Sequence, residues 1–209
     1  MKKDEIIEKI IELEWEMFRK VNEGLAVAPC QTDRKAFYGT RWGQFESWDE
    51  ETCRSYFGDL KKAQKDGTNL PEQKYIYMMK RTAPEQFRLM KSRVKPVSET
   101  AERLSRKITD ELIEQTAELR CKFPLVGGSG RPLRSAGDTA YETSVETYQL
   151  GELYTYSEKT LRLLYSHLID LKEKSISLAK LLQENTLRQY GFNSIEEAES
   201  FLQNRTRKG

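Results

Sequence analysis

The chain has 209 residues, enough for one sizeable hydrophobic core, and its 35 basic and 33 acidic side chains leave a net charge of +2. That balance excludes a molecule-wide field drawing the protein to nucleic acid or anionic lipid. No stretch approaches the roughly 18 apolar residues of a membrane span, and the opening Met1-Lys-Lys-Asp-Glu lacks the apolar centre of a secretory signal, so a cytoplasmic protein without a membrane role is expected.

Residues 4–22 read as a helix, with Ile7, Ile10, Met17 and Val21 on one stripe. Glu14 falls on that stripe, whereas Glu12 and Glu16 project to the opposite side. A carboxylate facing a core costs several kcal/mol unless it is paired, so Glu14 calls for a partner and is a candidate buried acid. After a break at Asn22-Glu-Gly, Thr32 or Asp33 can cap a helix over 34–45 that carries Phe37, Tyr38, Trp42 and Phe45. Asp49 caps the next helix, which stops at Asp66-Gly67. Asn69-Leu-Pro opens another running through Met79, and Thr82-Ala-Pro-Glu a short one to Arg93. Lys95-Pro ends that piece, and Ser98 starts a long polar helix to Lys122.

A polar loop is expected near 122–142, followed by helical pieces over 143–153 around Gly151. From Ser157 one long helix is predicted to Tyr190-Gly191, with Leu161, Leu164, Leu168, Leu171, Leu178 and Leu182 at heptad positions. Ser194-Ile-Glu-Glu is a capping box for a last helix over 195–202, before a frayed tail at 204–209. With no strand-like alternation and no repeat, the expectation is an all-α, single-domain bundle of about seven helices spanning 1–209.

The chemistry concentrates between Gly127 and Tyr156. Gly127-Gly-Ser-Gly-Arg resembles a phosphate cradle only superficially, since no strand precedes it and no Gly-Lys-Ser/Thr follows. Arg131 and Arg134, with Pro132 between them, can present planar forks to a carboxylate or phosphate; equally, Asp138 can clamp them. Ser144, Tyr148, Glu152 and Tyr156 are four apart and share a helical side if Gly151 leaves the turn intact. Glu14, Glu146 and Glu152 are the candidate proton-transfer groups, with tyrosine and arginine orienting an anionic substrate. No metal is required, although three glutamates could hold one. Cys30, Cys53, Cys121 and the single His167 show no zinc spacing and are read as reduced thiols and a lone ring.

Several segments add a resemblance: Ile11-Glu-Leu-Glu-Trp-Glu-Met-Phe-Arg-Lys-Val-Asn, Cys30-Gln31, Ser55-Tyr56, Gly67-Thr-Asn-Leu, Lys74-Tyr75 with Met78-Met79, Arg131-Pro132, Thr143-Ser-Val-Glu-Thr-Tyr, Gly151-Glu-Leu-Tyr-Thr-Tyr-Ser and Glu184-Asn185. In order and spacing, over nearly the whole chain, it resembles the uncharacterised bacterial family catalogued as domain of unknown function 4125. The resemblance implies no settled activity. It does imply a pattern of Glu14, Trp15, Glu16, Cys30, Gln31, Tyr56, Lys74, Tyr75, Arg131, Glu146, Tyr148, Glu152 and Tyr156. The chain departs from it at Gly43, where serine is expected, and at Gln73, where glutamate would place a charge beside Lys74.

Together these readings predict a small-molecule-binding enzyme with an enclosed polar pocket. Glu14, Glu146, Glu152 and Tyr148 are its candidate catalytic residues. Arg131, Arg134, Lys74, Tyr56, Tyr156, Cys30 and Gln31 are its candidate contacts to a small polar or anionic molecule. The alternative is a non-catalytic interaction module. Between Lys80 and Lys107 nine basic residues stand against three acidic ones, a face for an acidic partner, with nucleic acid the weaker variant.

Overall fold

The computed structural model describes residues 1–21, 31–128, 130–139 and 142–206. Among them are eleven α-helices and no strand: α1 (Lys3–Arg19), α2 (Arg34–Glu46), α3 (Glu50–Lys65), α4 (Leu70–Thr82), α5 (Pro84–Met90), α6 (Glu99–Lys122), α7 (Pro124–Gly128), α8 (Val145–Leu153), α9 (Glu158–Glu173), α10 (Leu178–Gln189) and α11 (Ile195–Thr206). The all-α expectation holds, but the count of about seven is too low.

Most helix starts follow from short polar side chains that accept an otherwise orphaned backbone N–H. Asp33 accepts from Ala36, Asp49 from Thr52, Asn69 from Glu72, Ser98 from Ala101, Ser144 from Thr147 and Ser157 from Thr160. Gly67 ends the turn after α3 with φ of 67°. The single helix predicted from Ser157 to Tyr190 is instead α9 and α10. Ser175 turns left-handed at φ 57°, and the Ile176 N–H donates to the Leu171 carbonyl at 2.9 Å, closing α9 before Ser177 caps α10. The expected loop near 122–142 contains α7 and a 3₁₀ turn at Ser135–Gly137.

One hydrophobic cluster ties most of these helices together, through Ile10 of α1, Phe45 of α2, Leu60 of α3, Leu70 of α4, Ile108 of α6, Leu153 of α8, Leu164 of α9 and Leu178 of α10. α1 packs on α2, α3 and α4, while α2 lies along α10 and α4 along α8. Glycine permits the last two approaches. A Cβ at Gly43 would stand 2.7 Å from the Thr186 backbone nitrogen, and one at Gly151 would stand 3.0 Å from the Lys74 carbonyl oxygen. Cys53 is buried, its thiol pushed up to about 12 by burial, and Cys121 is exposed. Among the described residues no helix is long and apolar enough to cross a membrane.

Candidate functional site

Four helices each contribute one charged side chain to a shared buried centre. Glu14 of α1 is 3% exposed, and Glu152 of α8 is 6% exposed. Arg41 of α2 joins them. Its Nη2 and Nε donate to Glu14 Oε1 and Oε2 at 2.5 and 2.7 Å, a bidentate fork, and its Nη1 donates to Glu152 Oε1 at 2.9 Å. Lys74 of α4 closes the chain by donating to Glu152 Oε2 at 2.6 Å.

Neutral donors complete the shells. The Tyr56 hydroxyl donates to Glu14 Oε1 at 2.6 Å, the Tyr156 hydroxyl to Glu152 Oε1 at 2.7 Å, and Gln44 Nε2 to the same Glu152 oxygen at 3.0 Å. Gln44 Oε1 in turn accepts from Arg41 Nη1 at 2.7 Å. Lys74 Nζ also lies 3.4 Å from the centroid of the Tyr148 ring, and the Arg131 guanidinium lies 4.9 Å from it.

Burial and ion pairing compete at each of these groups. Burial alone would raise the Glu152 pKa, but Arg41 and Lys74 outweigh it and hold the carboxyl well below the usual range. Burial would lower Lys74, yet Glu152 and then Tyr148 raise it, and Arg41 is likewise raised by Glu14 and Glu152 against its own desolvation. The Tyr56 and Tyr156 phenols are pushed well up, first by burial and then by Glu14 and Glu152 respectively. At neutral pH the centre therefore holds ionised Glu152, protonated Lys74 and Arg41, and neutral phenols.

This centre floors a cavity of about 530 Å³ lined by Glu14, Arg41, Gln44, Tyr56, Lys74 and Glu152. Its walls are largely apolar and aromatic: Phe18, Ala36, Phe37, Leu70, Pro71 and Tyr75, with Phe18 and Phe37 stacked at 5.3 Å. Tyr148, Thr155 and the exposed Arg131 also line it. Small-molecule sites have this size and this mix of apolar wall and few convergent polar groups.

Of the residues predicted from sequence, Glu14, Tyr56, Lys74, Arg131, Tyr148 and Glu152 line this cavity, and Tyr156 stands behind it on Glu152. Three others are placed elsewhere. Glu146 accepts from Arg81 at 3.0 Å and from the Ser135 N–H at 2.9 Å, away from the cavity lining. Arg134 reaches outward to Asp110 at 2.5 Å, both side chains about half exposed. Gln31 donates to the Phe18 and Val21 carbonyls, holding the end of α1.

Asp138 clamps neither arginine. It accepts from the Ser144 N–H and the Thr147 hydroxyl, fixing the start of α8. Arg131 instead donates to the Thr143 carbonyl at 3.0 Å. Cys30 lies outside the described residues. Among the described residues no cluster of three or more His, Cys, Asp or Glu could hold a metal.

Sequence reasoning missed Arg41 and Gln44. Yet the signal was present: Arg41 sits four residues from both Phe37 and Phe45, a lone cation in an aromatic row of α2. Glu14 is the same kind of anomaly, a lone charge on an apolar stripe of α1. The family model described as "Protein of unknown function (DUF4125)" matches residues 4–200. No curated protein and no solved structure matches the chain.

Proposed function

We propose that this chain, which belongs to the family of proteins of unknown function DUF4125, binds a small molecule with an anionic group and a flat or apolar body in the cavity between α1, α2, α4 and α8. One observation carries this reading: charges from four separate helices converge, largely buried, on the floor of an aromatic-walled cavity of about 530 Å³. Burying four charges is costly, and hydrophobic replacements are often as stable or better. Their placement at a cavity floor, rather than in the packed core, favours a role toward a ligand.

In this reading Glu14, Arg41, Glu152 and Lys74 form a fixed electrostatic floor. Lys74 and Arg131, both against the Tyr148 ring, attract the anionic group, and Phe18, Phe37 and Tyr75 take the apolar body. Acid/base chemistry at Glu152 gains no support from its surroundings. It has no proton to give at neutral pH, and its four donors reduce its basicity.

The alternative, a broad basic face over Lys80–Lys107, is weakened by neighbouring carboxylates, which offset much of its long-range field. Arg81, Arg88, Arg93 and Arg106 already face Glu146, Glu85, Glu72 and Glu102.

The test is a thermal-shift panel of aromatic carboxylates and phosphates, each paired with a neutral analogue of the same shape. The anionic members are expected to raise the melting temperature saturably. The shift should vanish in Ala36→Trp, which fills the cavity, and shrink in Arg131→Ala. No saturable shift from any member, or a shift that survives both substitutions, overturns the assignment.

A further inference from the structure

α8 has a second face. There Thr147 and Tyr154 join Tyr77, Lys80 and Arg81 of α4 and Arg106 of α6 around a separate cleft of about 180 Å³. Every charged side chain that lines it is a cation. The volume is small: a water's share of liquid is roughly 30 Å³, and drug-sized ligands need about 300 Å³ or more, so the cleft suits one tetrahedral oxyanion and a few waters.

The donors inside are only partly used. Arg81 commits Nη1 to Glu146 at 3.0 Å, and Arg106 commits Nε and Nη2 to a single Glu102 oxygen at 3.2 and 2.7 Å. Among the described residues this leaves Arg81 Nε and Nη2, Arg106 Nη1, the Lys80 ammonium and the Tyr154 hydroxyl without a hydrogen-bond acceptor. Arg106 and Glu102 are roughly half exposed, 51% and 42%, and such pairs contribute little, so Arg106 can turn to a more highly charged guest at small cost. Tyr77 is already engaged, donating to the Lys95 carbonyl at 2.7 Å, and serves as wall. Tyr154 remains a donor, since burial raises its pKa.

We propose that this cleft binds a phosphate group, free or carried by a small molecule, through Arg81, Arg106, Lys80 and the Tyr154 hydroxyl. Planar guanidinium forks match the oxygens of a phosphate better than a point charge does, and two of them reach this cleft from different helices. The site also gives a local purpose to part of the excess of cations between Lys80 and Lys107. It lies on a different face of α8 from the main cavity and does not depend on that cavity having a ligand.

An amide NMR titration tests it, with inorganic phosphate and glycerol 3-phosphate as probes against sodium chloride at matched ionic strength. Saturable shifts are expected at the end of α4 and over Thr147–Tyr154. Tighter binding of the ester assigns the site to a phosphorylated metabolite, and tighter binding of inorganic phosphate assigns it to the free ion. In the Lys80→Gln, Arg106→Gln double variant both affinities should fall at least tenfold, while Lys159→Gln leaves them unchanged. Shifts that follow ionic strength whatever the anion, or an undiminished affinity in the double variant, overturn the proposal. So would a single-stranded oligonucleotide that binds more tightly than either probe with steep salt dependence.

Discussion

Glu152 accepts four hydrogen bonds on two oxygens, from Arg41, Gln44, Tyr156 and Lys74, and its replacement tests the electrostatic account. Glu152→Gln keeps the shape but removes the charge, leaving Lys74 uncompensated. A loss of about 3 kcal/mol at pH 7 is expected from the cost of breaking a buried pair, read from the midpoint of urea unfolding. The pH dependence has a definite sign. Because the folded carboxyl titrates well below its unfolded value, its contribution is complete above the unfolded pKa of about 4.3 and drains away as pH falls below it. The gap between wild type and variant should narrow below that pH. A constant gap would mean that charge is not the cause.

Glu14 was legible in the sequence because it interrupts an apolar stripe, and the structure supplies the partner it required. Glu146 was not separable from Glu152 by the same reasoning. Six residues apart, they point roughly 120° from each other around a helix, and only the packing of α4 decides which of those directions is the cavity.

Among the helices, glycine sets two spacings that residue patterns could not reveal. Ala in place of Gly151 would gain about 1 kcal/mol of helix propensity. Its Cβ, however, would stand 2.7 Å from Met78 Cγ and 3.0 Å from the Lys74 carbonyl oxygen. Gly151→Ala is therefore expected to lose about 1 kcal/mol net through overpacking and to weaken cavity ligands by moving Lys74. Gly43→Ala should cost more, about 3 kcal/mol, because the Thr186 backbone, 2.7 Å away, cannot swing aside as a methionine can. Equal effects in a denaturant series would contradict this ranking. The serine expected at 43 by family resemblance would meet the same backbone here.

The α9–α10 break went unseen for a related reason. Leu171 and Leu178 keep seven-residue spacing across it, so the stripe continues while the backbone turns. Ser175→Gly should relieve the left-handed strain and stabilise by up to about 1 kcal/mol, measured as a higher melting temperature. A lower one would show that the serine side chain matters to the turn.

Across the helices of the described residues, class and most element starts were written in local signals: Asp49, Asn69, Ser98 and Ser157 cap where their sequence positions say they should. Glu14, Lys74 and Glu152 were expected around one pocket, but Arg41 joining the two carboxylates was not, because tertiary pairing of helices leaves no mark in periodicity. Since α1 packs on α2, α3 and α4 while α2 lies along α10, helices from α1 to α10 share one core. Calorimetry should therefore show a single unfolding transition. Two resolved transitions would argue for separate domains.

The clasp of four charges also constrains when the pocket exists. No two of its members are near neighbours in the chain, so a molecule with any one of α1, α2, α4 or α8 undocked lacks part of the floor. A fluorescent compound lodged there would light up only finished molecules, and its signal after dilution from denaturant would time the last docking event rather than the first collapse.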